Sequence, residues 1–131
     1  MMIRRLLSAF ALASLMTLAT AQTGMTPERY VLLDLQVREL TLNGMARRLE
    51  LLQSDASQLA RRSADATTRA EVEDVYTDYG VTPGQHAAFG AQHAEAIRQW
   101  LHANPDMRTY YDDLERRLGR LSNRLSAHQG G

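Results

Sequence analysis

The chain has 131 residues, with 15 basic and 15 acidic side chains, and therefore no formal net charge. It contains no cysteine, which excludes disulfides, thiol nucleophiles and cysteine-based zinc sites. Every basic residue is arginine, and the absence of lysine excludes Schiff-base chemistry. The length is sufficient for one domain with a modest core.

The N-terminus has the pattern of a cleavable signal peptide, residues 1–21. Arg4-Arg5 forms a short positive segment, and the uncharged run 6–18 follows it. That run is shorter than the roughly 20 residues needed to span a bilayer. The segment ends in Ala19-Thr20-Ala21, the small-x-small pattern that signal peptidase accepts. We therefore expect cleavage between Ala21 and Gln22 and export to the periplasm or the exterior.

The exported chain would be a single domain, residues 22–131. Loss of the two N-terminal arginines leaves 13 basic and 15 acidic residues, a net charge of −2. Nucleic-acid partners usually require a clearly basic domain, so we expect none. We also expect no membrane span after processing.

The three prolines predict three helix starts. Each follows a residue suited to an N-cap, namely Thr26, Thr82 and Asn104. Thr82 and Gln85 also fit a capping box, and Thr68 with Glu71 fits another, which suggests a fourth start.

Apolar periodicity predicts an all-α fold: a small antiparallel bundle of about four helices, with the long first helix as a surface for dimerisation. The stripe of the first helix keeps its phase across Asn43-Gly44, so this helix is predicted to continue to about residue 62. We expect residues 53–67 to be flexible or exposed and residues 128–131 to be a frayed tail. The later helices are predicted at 69–79, 83–103 and 105–127.

The segment Val81-Thr82-Pro83-Gly84-Gln85 resembles the L-T-x-x-Q signature of Spy/CpxP-type periplasmic chaperones, with valine in place of leucine. Proteins of that family are small, exported, cysteine-poor and all-helical. The resemblance covers five residues and implies no site residue.

The candidate ligand residues are His86 and His93, seven positions apart on one predicted helix face. That spacing is about 10.5 Å of helix rise, too far for both to bind one metal ion unaided. His93 lies between Phe89 and Ile97 in the apolar stripe. Either it is a packed histidine bonded to a polar neighbour, or this face holds a haem or a metal.

Arg38 interrupts the apolar stripe of the first helix. Its stem would pack while its head reaches solvent, or it would line the pocket of a small secreted enzyme. On the last helix, Asp112–Arg116 and Asp113–Arg117 are spaced as surface ion pairs. The same helix carries a row of arginines, namely Arg116, Arg120 and Arg124. These arginines could meet lipid phosphates or an anionic polymer, or they could lie beside the acidic residues of the predicted helix 69–79, which are Glu71, Glu73, Asp74 and Asp78.

No nucleophile motif or glycine-rich phosphate loop occurs, so we assign no catalytic residue, cofactor or metal site. The leading hypothesis is an exported, non-enzymatic envelope protein, chaperone-like, that binds another protein or an envelope component. The alternatives are a cofactor, metal or haem binder using His86 and His93, and a small secreted enzyme with an arginine-lined pocket around Arg38.

Overall fold

The computed structural model describes residues 24–129, which are 89% helical and contain no strand. The all-helical class is therefore confirmed, with five helices where about four were expected. They are α1 Pro27–Gln53, α2 Gln58–Tyr79, α3 Pro83–Gln92, α4 Ala94–Ala103 and α5 Pro105–Gln129. Within this range no helix is both long enough and apolar enough to cross a bilayer. The predicted signal peptide and its cleavage site at Ala21 and Gln22 lie outside the described residues.

All three proline-marked helix starts are confirmed, and two of them have the predicted cap. The Thr26 hydroxyl accepts a hydrogen bond from a first-turn N–H of α1 at 3.2 Å. Thr82 and Gln85 form both bonds of the capping box at the start of α3, at 3.1 and 2.9 Å. The Asn104 side chain behaves differently, because its amide donates to the Trp100 carbonyl at the end of α4.

The predicted course of the chain between residues 53 and 69 is wrong. Asp55 has a left-handed φ of 56°, which ends α1 at Gln53. Ser57 then caps a new helix, because its hydroxyl accepts from the backbone N–H of Ala60 at 3.1 Å. Most of the segment expected to be flexible or exposed is therefore helical, and its residues 53–67 are all exposed or half-buried. Thr68 lies inside α2, where its hydroxyl donates to a carbonyl of the preceding turn instead of capping a helix.

Gly44 lies within the continuous helix α1 and faces Thr68 of α2 at close range. A Cβ at this position would be 2.5 Å from Thr68 Cγ2 and 2.6 Å from Thr68 Oγ1. The Asn43-Gly44 pair therefore does not end the first helix. It provides the gap into which the Thr68 side chain fits.

The predicted single helix 83–103 is two helices. His93, with φ −119° and ψ 27°, leaves the helical region and separates α3 from α4. At the other end of the chain α5 continues to Gln129, two residues beyond the predicted end.

α1 is the central helix, since it packs against every other helix. The main core is small and is shared by α1, α4 and α5. Its buried residues are Val31, Leu35, Leu42, Ile97 and Leu114. Partly buried aromatic and aliphatic side chains surround it, among them Phe89, Trp100, Tyr110, Tyr111 and Leu121.

Candidate functional site

A polar cluster lies among α1, α2, α3 and α5, centred on Asp34. We call it the Asp34 cluster, and its members are Asp34, Arg38, Tyr76, His86 and Tyr111. Asp34 is a third of the way along α1, and its side chain is only 14% exposed. A carboxylate in such a place must be compensated by hydrogen bonds or by an opposite charge.

Asp34 has both forms of compensation. Its Oδ2 accepts a 2.8 Å hydrogen bond from Arg38 Nε, one helical turn away, and another from the Tyr111 hydroxyl of α5. The Arg38 guanidinium lies over the Tyr111 ring, 5.2 Å from its centroid, and one terminal nitrogen is 3.7 Å from Glu115.

These contacts shift the proton affinity of both donors. Burial, and then the hydrogen bond to Asp34, raises the pKa of Tyr111 far above its usual range. Burial alone would lower the pKa of Arg38, but the hydrogen bond and the charge of Asp34 raise it. Both side chains therefore keep their protons, and Asp34 has two permanent donors.

His86 is the most buried member of the cluster, with a side chain 8% exposed. Its Nδ1 is hydrogen-bonded to the Tyr76 hydroxyl at 2.9 Å, and its Nε2 is 3.4 Å from Asp34 Oδ1 without forming a hydrogen bond. The neutral ring with its proton on Nε2 fits these neighbours, since Tyr76 then donates to Nδ1. Burial lowers the pKa of His86, against the opposing effect of Asp34.

Aromatic rings extend the cluster along α3. The Tyr30 ring is 4.7 Å from His86 and 5.8 Å from Phe89, and Phe89 stacks on His93 at 4.3 Å. Gly90 makes this packing possible, because a Cβ there would be 2.5 Å from the Tyr30 hydroxyl oxygen.

The two candidate histidines occupy different environments. The expectation that His93 is the packed, inward histidine is wrong, because it is exposed at the break between α3 and α4. His86 is the buried one, and both of its ring nitrogens face protein atoms. Residues 24–129 contain no group of three or more histidine, aspartate or glutamate side chains placed to share a metal ion.

The Arg38 side chain is 33% exposed, and an enzyme pocket around it stays a prediction. Its guanidinium does not simply extend into solvent, because it is bonded to Asp34 and stacked on Tyr111. The three pockets described below, within residues 24–129, are also not lined by Arg38, Asp34 or His86.

The ion pairs of α5 agree with the prediction in one case of two. Arg117 lies 3.9 Å from Asp113, four residues earlier. Asp112 instead pairs with Arg108, one turn towards the N-terminus, at 3.4 Å. The arginine doublet of α1 does reach α2, where Arg47 lies 3.7 Å from Glu71 and Arg48 lies 3.8 Å from Asp65.

Two pockets follow one another along the line between α1 and α5, and together we call them the α1–α5 groove. The first, about 220 Å³, is lined by Leu42, Asn43, Ala46, Arg117, Arg120, Leu121 and Arg124. The second, about 260 Å³, is lined by Leu49, Gln53, Arg124, Ala127 and His128. Arg124 borders both, so the two pockets are adjacent.

A third pocket, about 530 Å³, lies where α2 ends and α3 begins. It has mainly apolar walls, and its lining residues are Glu73, Tyr76, Thr77, Gly80, Val81, Thr82 and Pro83. Gly80 has a left-handed φ of 68° and ends α2 there.

Sequence reasoning missed Asp34, the residue on which the cluster depends. A usable signal exists, because Asp34 precedes Arg38 by four residues, the spacing of a favourable ion pair on a helix. For Tyr76 and Tyr30 there was no comparable signal, since their partners lie on other helices.

No protein family model, curated protein or solved structure matches this chain. The five-residue resemblance to periplasmic chaperones involves residues 81–85, which here form a helix start. Thr82 and Gln85 are the two partners of its capping box. Their local role is thus explained by helix capping.

Proposed function

We propose that this protein is an exported, non-enzymatic envelope module that acts by binding a partner, in the manner of a small chaperone. One observation carries the proposal. The charged and titrating side chains of the Asp34 cluster, Asp34, Arg38 and His86, are buried or half-buried against one another and line none of the three pockets described above.

The Asp34 cluster is suited to holding helices together. A catalytic base must come within hydrogen-bonding reach of the proton that it removes. His86 is held between Tyr76 and Asp34, and Asp34 between Arg38 and Tyr111. The hydrogen bonds join α1 to α5 and α2 to α3, and the contact between His86 Nε2 and Asp34 brings these two pairs together. Buried polar clusters of this kind favour one arrangement of the core over others.

The surface has features that suit binding. Leu59, near the start of α2, is 78% exposed, so its apolar side chain is accessible to a partner. The third pocket has apolar walls, and the α1–α5 groove combines an apolar floor with arginines. We further propose that the helices form an antiparallel bundle around α1, and that a homodimer through this long helix is an alternative state.

An aggregation assay tests the proposal. The purified protein should slow the light scattering of a client that unfolds on heating, and Leu59→Ser should weaken this effect. Ala66→Ser, at an exposed position of the same helix, is the matched control and should act like the parent. A protein without effect on any client that nevertheless turned over a metabolite would contradict the proposal.

A cofactor site at His86 is the second candidate, favoured by the buried Nε2 that has no hydrogen bond. A metal or haem would have to displace Asp34 from that side of the ring. An absorption spectrum and metal analysis of protein purified from its own host test this. Colourless, metal-free protein whose melting temperature ignores added haem or metal would exclude it.

A further inference from the structure

The α1–α5 groove is a local cluster of positive charge on a chain whose formal net charge is zero. Arg117, Arg120 and Arg124 are spaced by three and four residues, so they share one face of α5. All three line the same pocket. Because the full chain is electrically neutral, attraction of an anion must come from such a local cluster.

The arginines of the groove are available for a ligand. Among the described residues, Arg120 and Arg124 have no ion-pair partner, and Arg117 has only Asp113 at 3.9 Å. Elsewhere on the surface, Arg47 and Arg48 are paired with α2, as described above. The groove therefore presents three exposed arginines, of which only Arg117 has an ion-pair partner among the described residues.

The floor of the groove is apolar. Leu42, Ala46 and Leu121 line the first pocket together with the arginines, and Leu49 and Ala127 continue the apolar lining into the second pocket. A ligand that matches both features carries a negative headgroup and an apolar part next to it.

We propose that the α1–α5 groove binds the phosphate of an acidic phospholipid, with Arg117, Arg120 and Arg124 as its donors. The start of the lipid's apolar portion then lies over Leu121 and Ala46. Arginine suits this role, because its planar fork donates two parallel hydrogen bonds to a phosphate. The inference rests on the proposed function, since it specifies the envelope component that is bound.

The size of the first pocket of the groove, which holds all three arginines, favours a lipid headgroup over a turn of a helical peptide. A single helical turn, about 10 Å across and about 5.4 Å high, fills roughly 400 Å³. The arginine pocket holds about 220 Å³. An extended acidic polymer would satisfy the arginines but would leave the apolar floor uncovered.

Vesicle flotation tests the proposal. The purified protein is mixed with vesicles of phosphatidylglycerol and phosphatidylcholine, or of phosphatidylcholine alone, and should float only with the former. The variant Arg117→Gln/Arg120→Gln/Arg124→Gln should bind about a hundredfold more weakly, because each basic residue at an anionic surface contributes roughly a factor of five. The control Arg61→Gln/Arg62→Gln/Arg69→Gln removes the same charge from α2 and should bind like the parent.

Four results would overturn the inference. Equal losses in the two triple variants would show unspecific attraction. Glycerol phosphate binding as tightly as the vesicles would identify a soluble phosphate ligand. A parent protein that does not float with the acidic vesicles would show that the groove does not bind lipid. A groove variant that changes only the sedimentation coefficient of the protein, and not its binding to vesicles, would show the same. Circular dichroism checks that each variant is folded. If vesicle binding fails while client aggregation is still slowed, the proposed function stands and only the lipid is wrong.

Discussion

The Asp34 carboxylate lies where water has little access, and its hydrogen-bond partners determine how much its burial costs in folding free energy. An ionised carboxylate that loses one of its hydrogen bonds in such a place costs more than the bond itself contributes, because its desolvation is no longer compensated. Arg38 and Tyr111 supply two donors to the same oxygen. The stability of this protein should therefore be more sensitive to these donors than to similar bonds at the surface.

Tyr111→Phe tests that sensitivity. The variant keeps the ring under Arg38 but removes the hydroxyl donor, so we expect the free energy of unfolding to fall by about 1–3 kcal/mol. Tyr110→Phe is the matched control, because its hydroxyl donates to the exposed Glu39. Urea denaturation of both variants measures the difference. Equal losses in the two variants would show that the burial of Asp34 has no energetic consequence.

The burial of His86 predicts a pH dependence. Its folded-state pKa is lowered below 6.5, first by burial, so the unfolded chain takes up a proton more readily. Stability should be fully present above that value and should fall as the pH decreases below it. Urea denaturation at about pH 7.5 and about pH 5.5 measures the loss.

His86→Gln removes the titrating group and should reduce the loss of stability between these two pH values. His102→Gln changes an exposed histidine and should leave the pH dependence unaltered. Parent stability that rises on acidification, or a loss that His86→Gln leaves unchanged, would refute the assignment.

At the level of the helices, the sequence predicted the three proline-marked starts and the ends at residues 79 and 103, but it missed the end of α1. The cap at the start of α3 involves only neighbours in the chain, Thr82, Pro83 and Gln85. It could therefore be predicted from the sequence without knowledge of tertiary contacts. The end of α1 depends on Asp55 adopting a left-handed conformation that few residues other than glycine adopt. The stripe of apolar residues continued past this point and suggested a helix where the chain turns.

The role of Gly44 could not be predicted from local sequence, because it depends on Thr68 of another helix. Gly44→Ala should lower the free energy of unfolding by about 1–3 kcal/mol through overpacking, despite the better helix propensity of alanine. Gly119→Ala is the matched control, since a Cβ there meets no atom within 4 Å. It should raise stability by up to about 1 kcal/mol. Thermal denaturation compares the two, and stabilisation by both would show that α1 and α2 are not in close contact at Gly44.

For the molecule as a whole, one central helix is combined with a small core and a polar cluster that links four helices. The composition predicted an all-helical, disulfide-free protein, and the helices are as expected in kind. The candidate site was predicted only in part, because Arg38 and His86 were singled out without the carboxylate between them. The contacts that bring Asp34, His86 and Tyr111 together join residues far apart in the chain, and no periodic pattern encodes them.

Export underlies both proposals, since an envelope partner can be met only outside the cytoplasm. The measurement is the intact mass of the protein recovered from cells after the envelope and cytoplasmic fractions have been separated. We expect the protein outside the cytoplasm, with a mass that corresponds to a chain beginning at Gln22. A chain that retains residues 1–21 and stays in the cytoplasmic fraction would contradict export, and with it the proposed envelope function.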